Sequence, residues 1–193
     1  MKINKLFEGL KRIDNGDYVL EGDLISEDNI EIELDDRLVV KGKIVSKQDI
    51  ITGKSLIAGC GIKAGCGIEA GCGIKAGWGI KAGCGIKAGD GIEAGDGIEA
   101  GWDIKAGWGI EAGWGIEAGC GIEAGEGIEA GWGIETKTFI HSGKRIFAGI
   151  SVYNTSANCK KAIKCAELRK GEICYGELVV DGSEPEQDDT CRD

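Results

Sequence analysis

Between Ala58 and Glu135 the chain repeats A-G-x-G-I-[KE] thirteen times without a gap, with one fault, Asp103 where a glycine is due. A period held this long decides the architecture before any local propensity does, because every copy must bury the same face against its neighbours. Stepping back by six from Ile62 meets Leu56, Ile50, Ile44, Leu38 and Ile32, and stepping forward from Ile134 meets Ile140, Ile146 and Val152. The register therefore outlives the visible motif.

Two residues after each of these aliphatics stands a mostly small residue: Leu34, Val40, Ser46, Thr52, the alanines from Ala58 to Ala130, then Thr136, Ser142 and Ala148. Side chains two apart in an extended strand share a face, so I-x-A is an inward pair with Lys or Glu pointing out between them. G-x-G is then a corner, where glycine supplies the positive φ of a tight bend and leaves the middle letter exposed. Three six-residue sides make an 18-residue triangular rung. Rungs stacked at the ~4.8 Å strand spacing make a tube, about 6.7 rungs or roughly 32 Å from position 32 to 152. The expected fold is all-β, a single-stranded parallel β-helix, whose hand these residues leave open.

The flanks read as caps. Ile3, Leu6, Phe7, Leu10 and Ile13 follow helical spacing and stop at Asn15-Gly16, which predicts a short helical cap over residues 1–16. The β-helix proper is expected over 17–152. AIKCAELRKGEICYGELVVDG predicts two strands around Arg169 to Glu172, a β cap over 153–181 that shields an open strand edge. The acidic stretch 182–193 is expected to be disordered.

The repeat resembles the hexapeptide-repeat β-helices, although their small residue falls four positions after the aliphatic and here it falls two after. The whole layout, with its C-terminal KKAIKCAELRKGEICYGELVV, also resembles uncharacterised repeat proteins of Gram-positive bacteria, their phages and mobile elements. Many hexapeptide-repeat proteins are acyltransferases, and that resemblance implies a histidine general base. The only histidine is His141, predicted to point outward after inward Ile140, and nothing identifies a partner to orient it. Gly59-Cys60-Gly61-Ile62-Lys63-Ala64 matches a dinucleotide fingerprint, but the match recurs down the array and no helix follows it. No enzyme and no cofactor are expected.

Nine cysteines, an odd count with no leader-like opening, predict reduced thiols and a cytoplasmic setting, that of the host if the chain is phage-encoded. Corner Cys60, Cys66, Cys72, Cys84 and Cys120 could at most stack in pairs, such as Cys66 with Cys84, and two thiols are too few for a structural zinc. No metal site is expected. A net charge of −10 argues against direct nucleic-acid or membrane binding and is compatible with a basic partner.

The changing letters carry the functional reading. Sorted by 18, the corners form columns of Cys60, Trp78, Asp96, Trp114, Trp132; of Cys66, Cys84, Trp102, Cys120; and of Cys72, Asp90, Trp108, Glu126. Trp102, Trp108 and Trp114 are expected to ring one rung, with Trp132 stacked on Trp114. Exposed tryptophans are candidate anchors for a partner. Charge falls in belts: nine acids and no base over 17–36, nine bases against Asp49 and Glu69 over 37–87. Over 88–135 stand Asp90, Glu93, Asp96, Glu99, Asp103, Glu111, Glu117, Glu123, Glu126, Glu129 and Glu135 against Lys105 alone.

These belts and tryptophans are read as a partner-binding surface. The function expected is a non-enzymatic binder of a host protein, a nucleic-acid-binding enzyme among the candidates, with mimicry of a polyanion and an anti-CRISPR type of inhibition as its specific form. The competing reading is a self-assembling scaffold similar to bactofilins, with the chain as a homo-oligomer, and a third is an ice-binding protein.

Overall fold

A computed structural model describes residues 1–149 and 162–180, and among them every regular element is a strand. The array is a parallel β-solenoid of about eight turns. It begins with β3 (Tyr18–Leu20), β4 (Leu24–Ser26), β5 (Ile30–Ile32), β6 (Leu38–Val40), β7 (Ile44–Ser46), β8 (Ile50–Thr52) and β9 (Leu56–Ala58). One three-residue strand per hexapeptide then follows, from β10 (Ile62–Ala64) to β22 (Ile134–Thr136).

Every third strand pairs in parallel and in register, Ile62 with Ile80 and Ile80 with Ile98, so the tube has three faces. The first face is a nine-stranded sheet that includes β4, β7, β10 and β22. The second contains β5 and β8, the third β3, β6 and β9. Inside, each isoleucine of the array is at most 2 % exposed and each alanine at most 6 %. Alternation of a large and a small inward residue fills the tube, and each buried isoleucine contributes roughly 1.5–3 kcal/mol.

The lowest rung differs from the expected register. Tyr18 pairs with Leu38, Leu24 with Ile44 and Ile30 with Ile50, twenty residues apart, whereas Leu38 pairs with Leu56 at eighteen. Ile30, not Ile32, therefore holds the isoleucine position, and Ile32 stands where the array has alanine. The two extra residues enlarge the corner that contains Leu34, which is buried there rather than in a strand.

The corner glycines also act differently from the expectation. None from Gly53 to Gly143 has a positive φ. Glycine is needed for close approach: a Cβ on Gly77 would overlap the Gly59 carbonyl oxygen, and the same overlap recurs up the array at Gly83, Gly89 and Gly95. The second glycine of each corner is less confined, with the Cβ site of Gly79 lying 3.2 Å from the Gly97 oxygen. This position accepts Asp49, Ser55 and Asp103 in place of glycine.

The N-terminal segment is not a helix. β1 (Lys2–Ile3) pairs in parallel with β5, and β2 (Leu10–Arg12) pairs antiparallel with β3. The helical spacing is coincidental: Ile3 is buried against the first rung, but Leu6 is 92 % exposed. Asn4 turns the chain, its side-chain oxygen accepting from the Leu6 amide at 2.9 Å, and Asn15-Gly16 forms a hairpin turn rather than a helix end. Open strand edges in the lowest rung explain the outcome, since a strand satisfies their backbone groups and a helix does not.

At the other end the coil continues. The strand β23 (Phe139–Ala148) spans the second and third faces, with Ile140 above Ile122 and Ile146 above Ile128. The cap is β, as expected, and is built of further parallel strands. β24 (Ala162–Cys165) sets Ile163 above Ile134, β25 (Glu167–Tyr175) lies on β23, and β26 (Glu177–Val180) lies on β24. The expected break at Arg169 to Glu172 is absent: β25 runs through it, with Gly171 at φ +130° where a Cβ would crowd Ile146. Val152, residues 153–161 and 181 of the expected cap, and the stretch 182–193 lie outside the described residues.

Candidate functional site: an acidic, tryptophan-bearing surface

The 18-residue register places the changing letters in three vertical columns. Up the first corner, backbone amides of Trp78, Asp96, Trp114 and Trp132 each donate to the carbonyl eighteen residues earlier, at 3.0–3.4 Å. Trp114 and Trp132 stack with centroids 5.5 Å apart and ring planes 5° from parallel, as the column order implies. Trp102, Trp108 and Trp114 occupy the three corners of one rung, and the tube keeps them apart. Trp114 walls an open groove of about 1090 Å³ on the first face, Trp108 one of about 560 Å³ on the third, and Trp102 one of about 400 Å³ on the second.

Charge is less evenly answered than composition suggests. The nine acids of the 17–36 belt are answered in part, by five cations from above and below: Arg37 meets Asp17, Lys43 meets Asp23, Lys47 meets Glu27, Lys2 reaches Glu33 at 2.7 Å and Lys5 reaches Asp35 at 2.8 Å. Bonds from the Lys5 ammonium and then the Tyr18 hydroxyl hold the Asp35 carboxyl well below the usual carboxylate range. In the upper acidic belt, by contrast, cations reach mainly the margins. Lys75 pairs with Glu93 at 2.5 Å and Lys81 with Glu99 from below; Lys144 pairs with Glu126 at 2.7 Å and Lys164 with Glu135 at 3.3 Å from above. Among the described residues, Asp90, Asp96, Glu111, Glu117, Glu123 and Glu129 have no ion-pair partner.

The third face concentrates this imbalance. Glu93, Glu111 and Glu129 are in-register neighbours on successive rungs, and the adjoining corner carries Asp90, Trp108 and Glu126 at the same three levels. Trp108, 63 % exposed, thus stands in the middle of five carboxylates. Burial, and after it the neighbouring Glu111 charge, pushes the Glu129 carboxyl above its ordinary range. Stacked like charges at this spacing oppose one another.

One expected site residue, Asp103, has structural work, and Glu123 lies in a mixed rather than an acidic ladder. Asp103, half-buried at a corner, accepts a hydrogen bond from the Gly121 amide at 2.7 Å, as Asp49 does from Gly67. Glu123 faces Lys105 on one side and half-buried His141 on the other, in the second-face ladder. The sequence reading missed the partly answered lower belt. It also missed the lid at Phe139, whose ring covers Gly121 beneath the Arg169 guanidinium, 3.7 Å from the ring centroid. The signal was available, since Phe139 falls eighteen after Gly121.

The corner thiols of Cys60, Cys66, Cys72 and Cys84 are free. Cys120 departs from the expectation of reduced thiols: it is buried and disulfide-bonded. Among the described residues no three His, Cys, Asp or Glu side chains converge as a metal site.

Fold and surface together define a parallel β-solenoid whose third face carries an acidic ladder in which Glu93 is answered by Lys75 while Glu111 and Glu129 lack an ion pair. Comparison with protein-family models, with curated proteins and with solved structures finds no match to this chain.

Proposed function

We propose that this chain is a non-enzymatic protein-binding solenoid whose third face engages a basic surface of a partner, of the kind that otherwise holds a nucleic-acid backbone. The observation that carries the reading is Trp108 set among Asp90, Glu93, Glu111, Glu126 and Glu129, with Glu111 and Glu129 lacking a cation. A guanidinium from the partner supplies what is missing: it stacks on the indole and answers the stacked carboxylates. Over residues 88–135 eleven acids face one lysine. That span is about 2.7 rungs, or roughly 13 Å, and the five carboxylates of the third face and its corner come at about one per 2.6 Å of axis, sparser than the about 1.7 Å per charge of a DNA duplex. The resemblance to repeat proteins of phages and mobile elements supplies the setting, a host protein as partner and inhibition of host defence, of the anti-CRISPR type, as the specific role.

Titration with a deca-arginine peptide, followed by calorimetry at low and high salt, tests the site. Trp108→Ala and Glu111→Gln/Glu129→Gln are expected to weaken binding about tenfold, while Glu8→Gln/Glu21→Gln, which removes the same charge elsewhere, leaves it within about twofold. Equal losses in both pairs of carboxylates would reduce the site to general acidity and end the proposal.

A further inference from the structure

We infer that the first face is a homodimer interface, in which two copies pack face to face with their tube axes antiparallel. This goes beyond the binding role above and leaves the third face free.

The outward residues of the first face, read up the stack, are Ile25, Val45, Lys63, Lys81, Glu99, Glu117, Glu135 and Lys164. The run Lys63, Lys81, Glu99, Glu117 changes sign at its own centre. A two-fold axis along the strand direction, passing between the Lys81 and Glu99 levels, therefore sets Lys63 opposite Glu117 of the second copy and Lys81 opposite Glu99, twice over. Lys63 and Glu117 have no ion-pair partner within the described chain, and this pairing gives each one. Val45 and Ile25 fall opposite Glu135 and Lys164, which already neutralise each other at 3.3 Å, so no like charges meet.

The other faces lack this property. The second face reads Glu69, Lys87, Lys105, Glu123, which on reversal about its middle sets Glu on Glu and Lys on Lys. The third reads Lys75, Glu93, Glu111, Glu129, with too few cations to answer itself.

Shape agrees with charge under the same operation. The axis keeps the first corner of one copy over the first corner of the other. Trp132 then falls opposite Gly42, Trp114 opposite Cys60 and Trp78 opposite Asp96, while at the second corner Trp102 falls opposite Cys84. No indole meets an indole, and each has a smaller residue to lie against. Eight of the nine strands overlap. At ~4.8 Å per strand the face is roughly 40 Å tall and, for a six-residue side, roughly 18 Å wide. That is on the order of 700 Å² per copy, the scale of a standard interface.

The test is the solution mass by sedimentation equilibrium across a range of concentrations, for wild type and two variants. Lys63→Glu/Lys81→Glu leaves the face mainly acidic, with Lys164 its one remaining cation among the described outward residues, and Glu99→Lys/Glu117→Lys makes it mainly basic. Wild type is expected to be dimeric, each variant alone monomeric, and an equimolar mixture of the two dimeric again. Circular dichroism of each variant separates lost pairing from lost folding, and the recovered heterodimer excludes the latter. Zero-length carbodiimide coupling of wild type is expected to join Lys63 to Glu117 between copies, since within one chain they stand three rungs, roughly 14 Å, apart. A monomeric wild type, a dimer or filament unaffected by either variant, or a mixture that stays monomeric would each overturn the inference.

Discussion

The Asp103 carboxylate accepts a hydrogen bond from the Gly121 amide of the rung above, at 2.7 Å. The apparent fault in the repeat is thus a rung-to-rung tie. Asp103→Gly, which restores the consensus, is expected to lower stability by about 1–2 kcal/mol through loss of a charge-assisted bond. Asp103→Asn keeps an acceptor and retains most of it. Urea unfolding of both variants checks the order.

The two glycines of a corner are not equivalent. Gly77→Ala drives a methyl group into the Gly59 carbonyl oxygen, whereas Gly79→Ala places one 3.2 Å from the Gly97 oxygen, where a shift of a few tenths of an ångström relieves it. We expect thermal melts to show Gly77→Ala destabilised by several kcal/mol and Gly79→Ala by about 1 kcal/mol. Equal effects would mean that backbone freedom, not crowding, selects glycine here.

The acidic ladder of the third face has a pH signature. Because the Glu129 carboxyl is raised by burial and by Glu111, the folded chain binds that proton more tightly than the unfolded one. The ladder therefore costs stability above the folded value, and the cost fades as pH falls through it toward the ordinary glutamate range. Glu129→Gln is expected to stabilise the fold by about 0.5 kcal/mol at neutral pH and by nothing once the carboxyl is protonated. Melting curves of both chains across that range should converge.

Thr136 stands where the array has alanine, and its buried hydroxyl oxygen finds no hydrogen-bond partner among the described residues. Thr136→Val keeps the shape and removes the unmet group. It is expected to raise stability by about 1 kcal/mol, measured by denaturant midpoint.

Much of this was open to reading from the chain. Ile62, Ile80 and Ile98 announce their own stacking because a six-residue period admits few ways to bury an aliphatic at every step, and the Trp114–Trp132 stack follows from the same arithmetic. The N-terminal segment misled because Leu6 and Ile13 occupy helical positions without a core to bury them. Asn15-Gly16 ends a helix and turns a hairpin equally well, and only the unpaired edges of the lowest rung decide between them. The twenty-residue rung was hidden because Ile30 and Ile32 both fit an inward position. The site was half legible: belts follow from composition, but which acids keep a cation depends on side chains a rung apart, such as Lys81 with Glu99.

The pairing of every residue with the one eighteen later has a consequence for how such a gene can change. Tandem copies lengthen and shorten by slippage, and here the unit that slips, six codons, is one third of the unit that stacks. A gain or loss of eighteen residues shifts everything above it along the axis by one storey and leaves each letter on its own corner. A gain of six instead turns the whole upper surface by a third of a revolution, so that Glu111 and Glu129 leave the wall shared with Glu93 and the first face loses its change of sign. The interior, made of the same isoleucine and alanine at every step, would register no difference. Selection on such a chain acts through its outline alone, with copy number counted in threes.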